Sequence, residues 1–149
     1  MSTTTAKPPV IQVSRVIKAP RERVFQAWTT PSDILNWFGC GGSKALSADV
    51  DLRVGGEYRI RINSEKCGVM DVVGVYREIN PPSRLVFTWG WLESDPSVER
   101  EETTVTIDLI DRNGSTEVKI THEGLTDSDS RDRHAYGWNG CLDNFEKLV

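Results

Sequence analysis

Residues 45–62 read Ala45-Leu-Ser-Ala-Asp-Val-Asp-Leu-Arg-Val-Gly-Gly-Glu-Tyr-Arg-Ile-Arg-Ile62. Leu46, Ala48, Val50 and Leu52 alternate with Ser47, Asp49 and Asp51. Beyond Gly55-Gly56, Tyr58, Ile60 and Ile62 alternate with Glu57, Arg59 and Arg61. Side chains of a strand point to opposite faces in turn, so each run has one apolar face and one wet face. The glycine pair supplies the turn, and the two runs form an antiparallel hairpin. The same period continues on the C-terminal side. A third strand runs from about Val69 to Ile79 and stops at Pro81-Pro82, since proline cannot donate to a ladder. Leu85, Phe87, Trp89 and Trp91 alternate in a fourth strand, and Val105, Ile107 and Leu109 mark a fifth. Asn113-Gly114 turns the chain into a sixth, with Val118, Ile120 and His122 on one face. Residues 93–102 are acidic and polar and read as a loop. On the N-terminal side, Val10 to Ile17 is one more strand, rich in Val and Ile. Short turns join most neighbours, so the sheet of six to seven strands is mostly antiparallel.

Helical spacing occupies the remainder. Ala19-Pro20 opens a helix whose apolar stripe is Val24, Phe25, Ala27 and Trp28. Thr30-Pro31 breaks it, and Ser32 or Asp33 is placed to cap a second short helix carrying Ile34, Leu35, Trp37 and Phe38. Gly39, Gly41 and Gly42 end that helix. The last segment, about Ser128 to Val149, is a long helix with Asp127, Ser128 or Asp129 at its cap. Ala135, Trp138, Leu142, Phe145 and Val149 recur every three or four residues and share one face, bordered by His134 and Cys141.

These elements make one domain over residues 10–149, preceded by a loose tail over residues 1–9. A chain of 149 residues buries about 70% of its unfolded surface, enough for a core without disulfides or metal. Five Trp, four Phe and three Tyr among many aliphatics exclude wholesale disorder. A net charge of -4 argues against nucleic acid as the main partner. No apolar run approaches the roughly 20 residues of a membrane helix, and the first nine residues lack the apolar core of a signal peptide. The expected address is cytoplasmic, with no membrane insertion. Cys40, Cys67 and Cys141 are odd in number and widely spaced, which suits thiols rather than a disulfide framework. His122 and His134 lack the spacing of a zinc pair, so no metal site is assigned. There is no P-loop, no G-x-G-x-x-G and no G-x-S-x-G elbow, and no cofactor or catalytic residue is assigned.

An antiparallel meander with one apolar face needs a cover, and the terminal helix is the element long enough to provide it. The predicted class is therefore α+β: a curved sheet wrapped on a long C-terminal helix, with two short helices after the first strand. Tyr58, Phe87, Trp89, Trp91 and Trp138 fall on the inward parity. They either line a gap between sheet and helix or fill the core.

Several stretches carry a resemblance. They are Arg15-Val-Ile-Lys-Ala-Pro20, Val24-Phe25-x-Ala27-Trp28-Thr29, Pro31 with Trp37-Phe38-Gly39, and Asp51-Leu-Arg53-Val-Gly55-Gly56. Further along stand Gly74-x-Tyr76-x-Glu78-Ile79-x-Pro81-Pro82-x-Arg84-Leu85-x-Phe87-Thr88-Trp89, then Thr121-His122-Glu123-Gly124-Leu125 and Gly137-Trp138-x-x-x-Leu142. In order and spacing they resemble the START-like (Bet v 1-like, SRPBCC) superfamily with its helix-grip fold. Within it they resemble bacterial proteins similar to the C-terminal domain of the activator of Hsp90 ATPase. Cys40 stands where that pattern usually has proline. The resemblance implies an internal cavity between sheet and C-terminal helix that holds lipids, sterols, polyketides or other apolar molecules.

The candidate ligand-cavity residues are Trp37, Tyr58, Phe87, Trp89, Trp91, His122, His134, Trp138, Cys141 and Phe145. His122 and His134 either present an imidazole to the cavity or have plain roles, His122 bonding backbone at a strand end and His134 partly solvated near the helix start. Asp49 and Asp51 read as solvated. Arg53, Arg59 and Arg61 read as a solvated face balanced by Glu57 and the acidic loop, or as a patch for a protein partner. The expected function is non-enzymatic binding of a hydrophobic small molecule. The resemblance also admits a co-chaperone-like partner of Hsp90 and a polyketide cyclase or hydrolase-like enzyme. An exposed edge strand admits a homodimer.

Overall fold

A computed structural model of the chain describes residues 10–39, 43–65, 68–92 and 102–148. The tail, Cys40, Cys67, Val149 and the acidic loop up to residue 101 lie outside these residues. Strand β1 (Val10–Ile17) leads into helices α1 (Arg21–Thr29) and α2 (Pro31–Trp37). Six strands follow: β2 (Ser43–Val50), β3 (Glu57–Ser64), β4 (Gly68–Asn80), β5 (Arg84–Trp91), β6 (Thr103–Arg112) and β7 (Ser115–Glu123). Helix α3 (Ser128–Leu148) ends the chain. The sheet order is β1-β7-β6-β5-β4-β3-β2, and every neighbouring pair is antiparallel. The sheet curls into a half-barrel with α3 as its partner, which is the helix-grip α+β fold. Helices α1 and α2 carry the chain from one sheet edge, β1, to the other, β2.

The inner face follows the two-residue period. Tyr58, Ile60 and Ile62 of β3 are buried, as are Leu85, Phe87 and Trp89 of β5 and Val105, Ile107 and Leu109 of β6. Helix α3 inserts Trp138, Cys141, Leu142 and Phe145 into this concavity. Polar ties hold it in place: Arg15 of β1 donates to Asp143 at 2.7 Å and Glu146 at 2.9 Å. Asn144 Nδ2 donates to the carbonyls of Trp37 at 3.2 Å and Gly39 at 2.6 Å. One glycine is demanded by the site. A Cβ on Gly74 would stand 1.9 Å from the Thr88 carbonyl oxygen and 2.6 Å from the Tyr58 ring. The bare backbone lets Tyr58 cross β4 and donate from its hydroxyl to the Thr88 carbonyl at 2.5 Å.

Five expectations are corrected. In β2 the inward residue is Ala45, while Leu46 is 49% exposed. A bulge between Ala45 and Ser47 inserts a residue and reverses the parity, leaving Ala48 and Val50 inward. Leu52 lies past the strand end and is exposed. Helix α2 begins at Pro31 with Thr30 at the N-cap and no side-chain cap bond. Asp33 instead pairs with Arg23 at 3.0 Å, and Leu35 faces solvent. Finally, Arg59 and Arg61 are not balanced by Glu57. Both converge on Asp71 of β4, whose side chain is 7% exposed, while Arg53 pairs with Asp51 at 2.9 Å. The Arg61 guanidinium, helped by that of Arg59, holds the Asp71 carboxyl below the usual carboxylate range.

Candidate functional site

The space between the sheet and α3 is an aromatic pocket. Its walls are Tyr58 and Ile60 of β3, Tyr76 of β4, Leu85, Phe87 and Trp89 of β5, and Trp138 of α3. Its other side is Trp28 of α1, Ile34 and Trp37 of α2, then Phe38 and Val50. Among the described residues, no charged side chain lines it. The rings touch in two groups. Trp28 lies 4.6 Å from Trp37 and 5.6 Å from Phe145, and Tyr58 packs edge-on against Phe87 at 5.4 Å. Trp138 sits between, 4.9 Å from Trp89 and 6.0 Å from Trp28. The free volume of the pocket is about 20 Å³. That is room for about one water. The spacious cavity that the resemblance implies is here a narrow pocket, because the aromatics largely fill it. Burial pushes the Tyr76 phenol up to about 12, so its hydroxyl stays neutral.

Beside the pocket lies a second, polar group of residues. Trp138 Nε1 donates to His122 Nδ1 at 3.1 Å. Nδ1 therefore carries no proton, and the neutral ring is protonated at Nε2. That nitrogen is 2.7 Å from Thr103 Oγ1, which accepts from it and donates its own proton to the Trp89 carbonyl at 3.0 Å. His134 is fixed in the opposite tautomer. Its Nε2 accepts from Trp91 Nε1 at 3.2 Å, and its Nδ1 donates to the Ser130 carbonyl at 2.7 Å. The two imidazoles meet edge to face, 5.2 Å apart. His122 is completely buried, and burial, with His134 nearby, drives its pKa down from 6.5 to about 3. In this arrangement both lone pairs that a base would need already accept from indoles. Thr103 points its proton at a carbonyl, not at His122, so the pair is not set up as a nucleophile and base.

Of the candidate residues, Trp37, Tyr58, Phe87, Trp89 and Trp138 line the pocket. Trp91, His122 and His134 form the polar group behind Trp89 and Trp138. His122 bonds two side chains rather than the backbone expected of a strand-end histidine. Cys141 and Phe145 are buried in the core beneath the pocket and do not line it. Sequence reasoning missed Trp28 and Tyr76 as pocket walls. Both carried a signal: Trp28 belongs to the apolar stripe of α1, and Tyr76 follows Gly74 by one strand period. Asp49 and Asp51 are exposed, as expected.

A sequence model of the family described as "Activator of Hsp90 ATPase homolog 1-like protein" matches residues 18–149. The chain belongs to this family. No curated protein sequence matches it significantly. Among solved structures, this Hsp90 activator homolog 1-like chain is similar to a protein from Chromobacterium violaceum at 27% identity. The TM-score is 0.79, and the match covers 95% of this chain and 98% of that one. It is similar also to a protein from Rhizobium leguminosarum, at 26% identity and a TM-score of 0.76, over 95% of this chain and 94% of that one. The AHSA1 protein from Silicibacter pomeroyi shares the fold at 23% identity and a TM-score of 0.80, over 93% and 96% of the two chains. Among the described residues, no helix is long and apolar enough to cross a membrane.

Proposed function

We propose that this member of the Hsp90 activator homolog 1-like family is a cytoplasmic, non-enzymatic protein that binds a small apolar or aromatic molecule between its sheet and α3. The observation that carries the reading is a pocket walled by rings from six elements and lined, among the described residues, by no charged side chain. Small-molecule sites are concave and mostly apolar, with few polar groups. The present packing leaves room for about one water, so a ligand enters only as the rings move apart. Trp138 and Phe38 lie against Trp89 from opposite elements and are the rings to move. Apparent affinity is then the intrinsic affinity reduced by the fraction of molecules that are open.

Titration with an apolar naphthalene-based dye, followed by lipids, sterols and aromatic polyketides, tests this. Saturable change of Trp fluorescence is expected, with a negative heat-capacity change as apolar surface leaves water. The melting temperature should rise with ligand concentration, because only the folded state binds. A full panel with no saturable response would sink the proposal, and retention of a chaperone of the Hsp90 type on the immobilised protein would then put the co-chaperone reading in its place.

A further inference from the structure

Buried indole nitrogens normally find an acceptor. Of the five tryptophans in this chain, three do: Trp37 donates to the Ala27 carbonyl at 2.7 Å, Trp91 to His134 and Trp138 to His122. The other two do not. Trp28 Nε1 and Trp89 Nε1 are buried with no hydrogen-bond partner among the described residues. Both residues line the pocket, and they are only 4% and 5% exposed. Both rings pack against Trp138, the residue by which α3 enters the pocket. A buried donor left without an acceptor is costly to the folded state, and native structures seldom keep one without reason. Here two stand in one pocket.

Resting on the ligand-binding reading above, we infer that the ligand is a neutral aromatic or polycyclic molecule bearing carbonyl-type acceptors, and that Trp28 and Trp89 are the residues that select it. A hydrocarbon would occupy the opened pocket and leave both donors unmet. A ketone, quinone, lactone or ester of the same shape brings an oxygen that can accept from these unmet N–H groups of the wall residues. A carboxylate offers oxygens too, but its charge would enter a wall with no cation among the described residues, and an unpaired buried charge is strongly disfavoured. The selection is therefore for polar but uncharged oxygen.

Equilibrium dialysis of the intact protein against fluorene, 9-fluorenone and fluorene-9-carboxylate reads this directly. The first two are nearly isosteric and differ by one carbonyl. Fluorenone is expected to bind about tenfold more tightly than fluorene, equivalent to about 1.4 kcal/mol, and the carboxylate no more tightly than fluorene. In the Trp28→Phe/Trp89→Phe double variant the preference for fluorenone should vanish while fluorene still binds. Should that variant not fold, benzothienylalanine at both positions keeps the ring shape and removes only the N–H. Equal affinity for fluorene and fluorenone, tightest binding of the carboxylate, or a preference that survives in the folded double variant each overturns the inference and leaves ligand binding standing. Binding of none of the three, together with an empty lipid and sterol panel, overturns both.

Discussion

At the scale of single residues, the two histidines show how a neutral imidazole is enforced. Each ring accepts an indole proton at one nitrogen and donates from the other. For His122 the consequence is a pH dependence of stability. In the unfolded chain it titrates near 6.5, and in the folded protein near 3. Between those values the unfolded state binds more protons, so stability falls as pH falls from about 6.5 towards 3 and is fully present above 6.5. At about 1.4 kcal/mol per unit, the whole effect is on the order of 5 kcal/mol. Asp71 acts in a different window: its lowered carboxylate costs stability only as pH drops below the ordinary value of 3.8. Urea unfolding at a series of pH values should show the His122 slope in wild type and a flatter line in His122→Gln between pH 6.5 and 4. An identical slope in the two proteins would contradict the assignment. The sequence singled out both histidines, but not their partners. Thr103 and Trp138 lie 19 and 16 residues from His122, a separation at which no periodic pattern carries information.

Among the elements, α3 was the most legible, because a stripe of Trp138, Leu142 and Phe145 at helical spacing states its buried face directly. Trp138 is 3% exposed, touches Trp28 and Trp89, and bonds His122. Trp138→Ala is expected to cost about 3–5 kcal/mol, the range for deleting a buried large aromatic, with the loss of the His122 hydrogen bond included. Chemical denaturation reads this, and an unchanged midpoint would mean that α3 does not hold the sheet through this residue. Strand β2 was the least legible. It is an edge strand, and one inserted residue at the bulge reversed the parity of Leu46 despite the regular alternation of the sequence. A bulge is a relation between two strands, and nothing within residues 43–50 announces it. The clamp of Arg59 and Arg61 on Asp71 has the same origin, since β3 and β4 must first be laid in register before the three residues meet.

Over the whole molecule, one buried cluster takes side chains from β1, α1, α2, the strands of the sheet and α3. With no second core among the described residues, unfolding should be a single cooperative transition. Far-UV circular dichroism and Trp fluorescence are expected to give the same denaturation midpoint, because the tryptophans sit where helix and sheet join. Fluorescence changing well before the backbone signal would show α3 detaching as a separate unit. The amino-acid sequence by itself determined the elements, the antiparallel sheet, the covering helix and the family, because side-chain period and turn residues act over short stretches of chain. It also brought five of the ten candidate site residues to the pocket wall, since inward parity already implies a shared interior. How much space that interior leaves was decided only by the tertiary structure. Volume is a sum over rings from distant elements, and here Trp28, Phe38 and Tyr76 close most of the gap that the strand pattern left open. The same holds for which indole finds an acceptor. Each tryptophan brings the same N–H, and only the packed arrangement gives three of them a partner and leaves Trp28 and Trp89 without one.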